Sequence, residues 1–168
     1  MRSIPLCLII SALLAGSSAS ARVQTVDPNS IKAAIVFNLI RYIEFPKPAN
    51  EPVQLCGLRG AEGVAAMSSL NGQRAGSRSV SYRMVDSVTS RGCDVLFIGE
   101  ARADDIARAR RIGTVLIGDS PDFIGAGGTI GLIRNGSQVR FEINAKAARE
   151  ADVTLSSRLM RLAVRIEQ

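Results

Sequence analysis

The sequence predicts an α/β fold: a three-layer α/β/α sandwich around a mixed, mostly parallel sheet of five or six strands, closed by a C-terminal hairpin plus helix. Three observations carry this. Short apolar runs at residues 53–58 (VQLCGL), 94–98 (DVLFI) and 114–117 (TVLI) have strand length and lack polar alternation, as strands covered on both faces do. The stretch between the second and third, residues 101–112, is charged and helical in pattern, which makes a βαβ unit. The tail at residues 127–163 reads as a hairpin feeding a helix.

The elements follow in order. Asp27-Pro28 supplies an N-cap and a proline at the first helical position, so a helix is expected from there to about Glu44, stopped by Pro46 and Pro48. It is apolar on most sides, and Asn38, Arg41 and Glu44 share the remaining face, so it must be largely buried. Residues 53–58 form a strand and residues 60–70 a weak helix. Breaks at Asn71-Gly72 and Gly76 precede a half-buried strand in which Val80, Tyr82 and Met84 alternate with Ser81 and Arg83. After the βαβ unit, residues 129–133 and the alternating Val139, Phe141 and Ile143 are joined through Asn135-Gly136, a pair that tolerates a tight hairpin turn. Ser156-Ser157 then caps an amphipathic helix carrying Leu159, Leu162, Ala163 and Ile166. Val139, Phe141, Ile143, Leu159 and Leu162 are expected in the core.

The first residues place one arginine before an apolar run and end in Ala19-Ser20-Ala21, the pattern of a secretory signal peptide cleaved after Ala21. The apolar run is too short to span a bilayer, which needs roughly 20 residues. The expected organisation is therefore a signal peptide at 1–21 and a single domain at 22–168. The formal charge of +6 falls only slightly when Arg2 leaves with the leader. Its bases are spread along the chain, and export removes the protein from nucleic acid, so no nucleic-acid partner is expected. Cys56 and Cys93 remain in a compartment where thiols oxidise. They are expected to pair, with two buried free thiols as the alternative, since spacing alone does not show that their Cα atoms lie within bridging distance.

The sequence has no histidine. A Ser-His-Asp or Cys-His system has no base, and zinc loses its usual nitrogen ligand. Gly118-Asp119-Ser120 resembles an esterase nucleophile block but reads as a strand-end turn without that histidine. Lys32, Lys47 and Lys146 follow Ile31, Pro46 and Ala145, so none is a P-loop lysine. The glycine run 125–128 opens a hairpin rather than a helix, unlike a dinucleotide fingerprint. Asp104-Asp105 reads as solvated carboxylates rather than metal ligands. Arg158, Arg161 and Arg165 form a stripe on the last helix, ordinarily its solvent face, that could otherwise dock an acidic partner or an anionic surface. No catalytic, cofactor or metal residue is assigned and no enzyme activity is expected; an acid pair brought together only in space is the remaining catalytic alternative.

Three blocks resemble the YfiR family: KAAIVFNLIRYIEFP at residues 32–46, CDVLFIG at 93–99, and the tail from Gly127 with VRFEIN, AAR and SSRLMRLA in order. Phe45 stands where a Trp is common, Ala151-Asp152-Val153 where Gly-Leu is usual, and a second cysteine pair of some members is missing. The resemblance aligns Cys56 and Cys93 with a pair that many members bridge. It implies a periplasmic, dimeric α/β repressor that binds the periplasmic sensor domain of an inner-membrane diguanylate cyclase, and that an outer-membrane lipoprotein can sequester. No catalytic position comes with the family, and the partner-binding surface stays unassigned. The alternative function is a small-ligand receptor, or a sensor subunit for a histidine kinase or transporter, with a pocket at the carboxyl ends of the strands.

Overall fold

The computed structural model describes residues 27–136 and 138–168. The expected signal peptide and its cleavage after Ala21 lie outside the described residues. The elements, in order, are α1 (Pro28–Ile40), β1 (Ile43–Glu44), β2 (Val53–Leu58), a 3-10 helix (Val64–Leu70), β3 (Arg74–Ala75), β4 (Arg78–Val85), β5 (Val95–Gly99), α2 (Ala103–Arg110), β6 (Val115–Gly118), β7 (Ile130–Asn135), β8 (Gln138–Asn144), α3 (Ala145–Glu150), β9 (Thr154–Leu155), α4 (Ser157–Leu162) and β10 (Arg165–Glu167).

The main sheet runs β10-β8-β7-β6-β5-β2-β4-β3, with β1 and β9 forming a separate two-stranded ribbon. Only the β7–β8 and β3–β4 pairings in the main sheet are antiparallel. The α/β class and the mixed, mostly parallel sheet are as expected, but the sheet has eight strands rather than five or six. The additions are the two-residue β3 and the three-residue β10, both too short to leave a period in the sequence.

Alternation along the central strands divides the core between two faces. Leu55, Val95, Phe97, Val115, Ile117 and Ile130 point to the face covered by α1 and the 3-10 helix, through Val36, Leu39, Ile40, Met67 and Leu70. Cys56, Leu96, Ile98 and Leu116 point to the other, beneath Ile106 and Ala109 of α2 and beneath Phe123 and Ile124. The sheet is thus the middle of three layers. Cys56 and Cys93 are joined by a disulfide with their Cα atoms 5.7 Å apart, fastening β2 to the approach of β5.

Helix α1 starts as the sequence indicates: the Asp27 carboxylate accepts from the N–H groups of Asn29 and Ser30, and Pro28 takes the first turn. It ends at Ile40, short of the expected Glu44, because Ile43 and Glu44 pair with Leu155 and Thr154 instead. A tertiary pairing, not Pro46, ends the helix. The hairpin between β7 and β8 turns at Gly136, whose φ of 60° is open to glycine, with Asn135 paired to Gln138. Asp152, after α3, has φ 56°, a left-handed conformation that Asp tolerates better than most residues.

The final segment departs most from expectation. The apolar spacing predicts one amphipathic helix through Ile166, but α4 stops at Leu162 and Ala163 is extended (φ −68°, ψ 139°). The chain then runs beside β8, with Val164 N–H donating to the Phe141 carbonyl at 3.0 Å. An open sheet edge offers hydrogen bonds that a continued helix would forgo. Leu159 is 2% exposed, as a core residue, whereas Leu162 is 57% exposed and is not one. Met84, read as facing inward with Val80, is 37% exposed near the end of β4.

Candidate functional site

Strand order places a crevice where ligand sites form in open α/β sheets. From β2 the chain proceeds to β4 on one side, while β5 lies on the other side of β2. The connection after β2 leads to the 3-10 helix on one face, and that after β5 leads to α2 on the opposite face. Their divergence opens the sheet's carboxyl edge. Glu62 follows β2, Glu100 follows β5 and Asp119 follows β6, while Lys32 reaches across from α1.

Lys32 is the defining residue, only 7% exposed on a helix that otherwise buries apolar side chains. Its Nζ lies 2.6 Å from Asp119 Oδ2 and 3.3 Å from Glu62 Oε1. Burial acts to lower its pKa, but hydrogen bonding and attraction to Asp119, with a further contribution from Glu62, outweigh that and leave it raised. The ammonium is therefore a fixed positive charge. Around it opens a cavity of about 360 Å³ lined by Lys32, Glu62, Glu100, Asp119, Leu132, Arg134 and Val139. A second cleft of about 390 Å³ shares Asp119, Leu132 and Arg134 and continues past Glu142 to Arg165 on β10. Both are open, charged hollows in which acids and bases largely neutralise one another.

Ser120 Oγ accepts from Ala101 N–H at 2.7 Å and donates to the Ala101 carbonyl at 3.0 Å, so Gly118-Asp119-Ser120 pins one strand-end loop to the next. In the glycine run, a Cβ at Gly128 would lie 2.1 Å from the buried Phe123 ring, which explains that glycine by packing. Asp104 and Asp105 open α2, where Asp105 pairs with Arg108. Lys47 bonds Asp94 at 2.5 Å, and Lys146 is exposed on α3. The arginine stripe is broken: Arg158 sits 5.4 Å from the Tyr42 ring centroid, Arg161 is exposed on α4, and Arg165 belongs to β10. There Arg165 approaches Asp122 and Glu142 at 3.4 and 3.5 Å. Among the described residues no three His, Cys, Asp or Glu side chains gather as metal ligands, and no helix is long and apolar enough to cross a membrane.

Sequence reasoning tested Lys32 only as a phosphate binder and Asp119 only as part of a nucleophile block; it did not join them. A usable signal existed: Lys32 precedes Val36 by four residues and so shares its buried face. A lysine on a buried face requires a carboxylate partner.

A second surface stands apart from these charges. Leu162 (57%), Val164 (54%) and Ile166 (37%) are three of the four large apolar side chains exposed among the described residues, and all lie within five positions at the sheet's C-terminal edge. Exposed apolar side chains are ordinary singly; gathered where the end of α4, the following link and β10 meet at an open sheet edge, they mark an interaction surface.

Fold and surfaces together define a three-layer α/β domain with a charged crevice floored by the Lys32–Asp119 ion pair and with most of its exposed large apolar side chains gathered at one edge. The chain belongs to the YfiR/HmsC-like family (DUF4154), whose model matches residues 29–164. No curated protein matches it. Among solved structures it is similar to a conserved domain protein of Vibrio cholerae, with a TM-score of 0.55 and 11% identity over 83% of this chain. A Streptococcus pneumoniae ABC domain in complex with L-Trp gives a TM-score of 0.49 and 11% identity over 83% of this chain. The chain spans 60% and 62% of the lengths of those two structures.

Proposed function

We propose that this protein is an exported periplasmic regulator that represses an inner-membrane signalling enzyme, a diguanylate cyclase, by binding its periplasmic sensor domain. Family membership supplies the class of activity. The observation that carries contact as the mode of action is the exposed apolar edge formed by Leu162, Val164 and Ile166. An extended partner segment can add to such an edge, with main-chain bonds giving affinity and alternate side chains giving choice of partner. The leader pattern and the Cys56–Cys93 disulfide suit an oxidising compartment. Repression then consists of binding the inactive state of the cyclase more tightly than the active one. Deleting the gene in a strain that expresses the cyclase is expected to raise cyclic di-GMP and biofilm; unchanged levels would contradict the reading.

A small-ligand receptor is the second reading, favoured by the crevice around Lys32 at the switch point. Its test is thermal stability of the purified protein against a panel of metabolites. A saturable shift that Glu100→Gln or Arg134→Ala removes supports it.

A further inference from the structure

We infer that the crevice at the carboxyl edge of the sheet binds an α-amino acid with a cationic side chain, whose guanidinium or ammonium takes the place now held by Arg165; this rests on the receptor reading above. The two hollows there meet at a notch. Strand β6 pairs with β7 only as far as Gly118 opposite Gly131, while β7 runs on to Asn135, so the end of β7 has no strand on that side. Asp119, Leu132 and Arg134 line both hollows at this step. One hollow opens from it toward Glu62 and Glu100, the other toward Glu142 and Arg165.

Charges fall in a set order along this cleft. At the first end Lys32 is taken up by Asp119 and Glu62, which leaves Glu100 with no ion pair among the described residues. At the junction Arg134 has none either. At the far end Glu142 and Asp122 face a guanidinium. The complement of that order is an ammonium, a carboxylate beside it and a second cation several bonds away, which is a basic α-amino acid. A ligand with a single charge would leave Glu100 or Arg134 unanswered. Asp119 shows a related lack: its Oδ2 takes Lys32 at 2.6 Å, whereas Oδ1, closed off from solvent, has no hydrogen-bond partner among the described residues. A desolvated acceptor without a donor is costly, and an α-ammonium brings donors to this point.

Arg165 marks where the side-chain cation goes. It reaches Asp122 at 3.4 Å, Glu142 at 3.5 Å and Glu167 at 3.8 Å, all longer than the roughly 2.7–2.9 Å of a charge-assisted hydrogen bond. Glu142 is a largely enclosed carboxylate, 16% exposed, with Arg165 as its one ion-pair partner among the described residues. The position thus suits a guanidinium and is loosely filled. Gly131 stands directly opposite Glu142 in the β7–β8 ladder and lines the cleft. A Cβ there would meet nothing closer than 3.4 Å and its φ is not positive, so neither packing nor backbone requires glycine. Its missing side chain leaves the cleft floor open beside Glu142, and Leu132 and Ile133 supply apolar lining for methylene groups. Arg165 belongs to β10, so entry of the ligand is felt at the strand that carries the exposed apolar edge.

Calorimetric titration of the purified protein provides the test. L-arginine or L-lysine is expected to bind saturably. Three arginine analogues each lack one charge: citrulline the side-chain cation, agmatine the carboxylate and Nα-acetyl-arginine the ammonium. Each is expected to bind at least about tenfold more weakly than L-arginine, as loss of a charge-assisted contact implies. Glu142→Gln is expected to weaken L-arginine binding by a similar factor. Arg165→Ala is expected to tighten it about three- to tenfold, because the competing guanidinium is gone, a gain that damage to the fold could not produce. Failure of both amino acids to bind at millimolar concentration, citrulline binding as well as L-arginine, or an Arg165→Ala variant no tighter than wild type would each overturn the inference. A metabolite of another class that raises the melting temperature, with Glu100→Gln removing the rise, would overturn it and leave the receptor reading standing; a panel with no shift at all removes both.

Discussion

Lys32 on α1 and Asp119 at the end of β6 form the most buried ion pair among the described residues, Nζ to Oδ2 at 2.6 Å. The pair ties the first helix to the carboxyl edge of the sheet and closes the floor of the crevice. A buried ion pair adds little over an apolar pair of the same shape, but breaking one side is costly because the other charge is left desolvated. Lys32→Met is expected to destabilise the fold by about 2–4 kcal/mol in urea denaturation, and Lys32→Met with Asp119→Asn to recover part of that loss.

The same pair sets a pH dependence. Lys32 has a raised pKa in the folded state, so its stabilisation is complete below the unfolded lysine value, about 10.4, and is lost as pH rises through the folded value. The stability gap between wild type and Lys32→Met is expected to stay constant from pH 6 to about 9 and to narrow above about 10.5. Urea midpoints across that range check it; a gap that widens with alkalinity would reverse the sign.

The disulfide closes a separation of 37 residues between β2 and the approach to β5. In the chain-entropy view this contributes about 4 kcal/mol by restricting the unfolded chain. Cys56→Ala with Cys93→Ala is expected to lower stability by about 2–4 kcal/mol, measured by urea unfolding beside the reduced wild type.

Gly128→Ala tests the tightest contact in the turn before β7. A Cβ there would sit 2.1 Å from the Phe123 ring, which is itself almost fully buried and has nowhere to move. The expected cost is about 1–3 kcal/mol of overpacking, read as a lowered melting temperature.

Two leucines on one short helix separate scaffold from surface. Leu159→Ala, at a 2% exposed site, is expected to cost about 2–4 kcal/mol. Leu162→Ser, at a 57% exposed site, is expected to change stability by less than about 0.5 kcal/mol while impairing repression in cells.

Most of the scaffold was legible in the sequence because its signals are local. The cap at Asp27, the runs that became β2, β5 and β6, the Asn135-Gly136 turn and the alternation of Val139, Phe141 and Ile143 need no tertiary context. The misplaced boundaries, at Ile40 and Leu162, share a cause: each helix yields to a strand pairing with a distant segment, and residues 43–44 and 165–167 are too short to show a period. The crevice was hidden for a similar reason. Lys32, Glu62, Glu100, Asp119 and Arg134 come from five separate segments, and no spacing brings them together before the sheet order is known. Helical spacing over 157–166 also conceals the apolar edge, since it assigns Leu162 to the core and Ile166 to a helix rather than to a strand.

We propose that this protein represses a membrane cyclase through its C-terminal edge. It is tested most directly by cyclic di-GMP levels in a deletion strain complemented with wild type or with Leu162→Ser/Val164→Ser, at matched periplasmic abundance and melting temperature. Wild type is expected to return cyclic di-GMP to its basal level, and the edge variant to leave it high. Equal repression by both would contradict the claim.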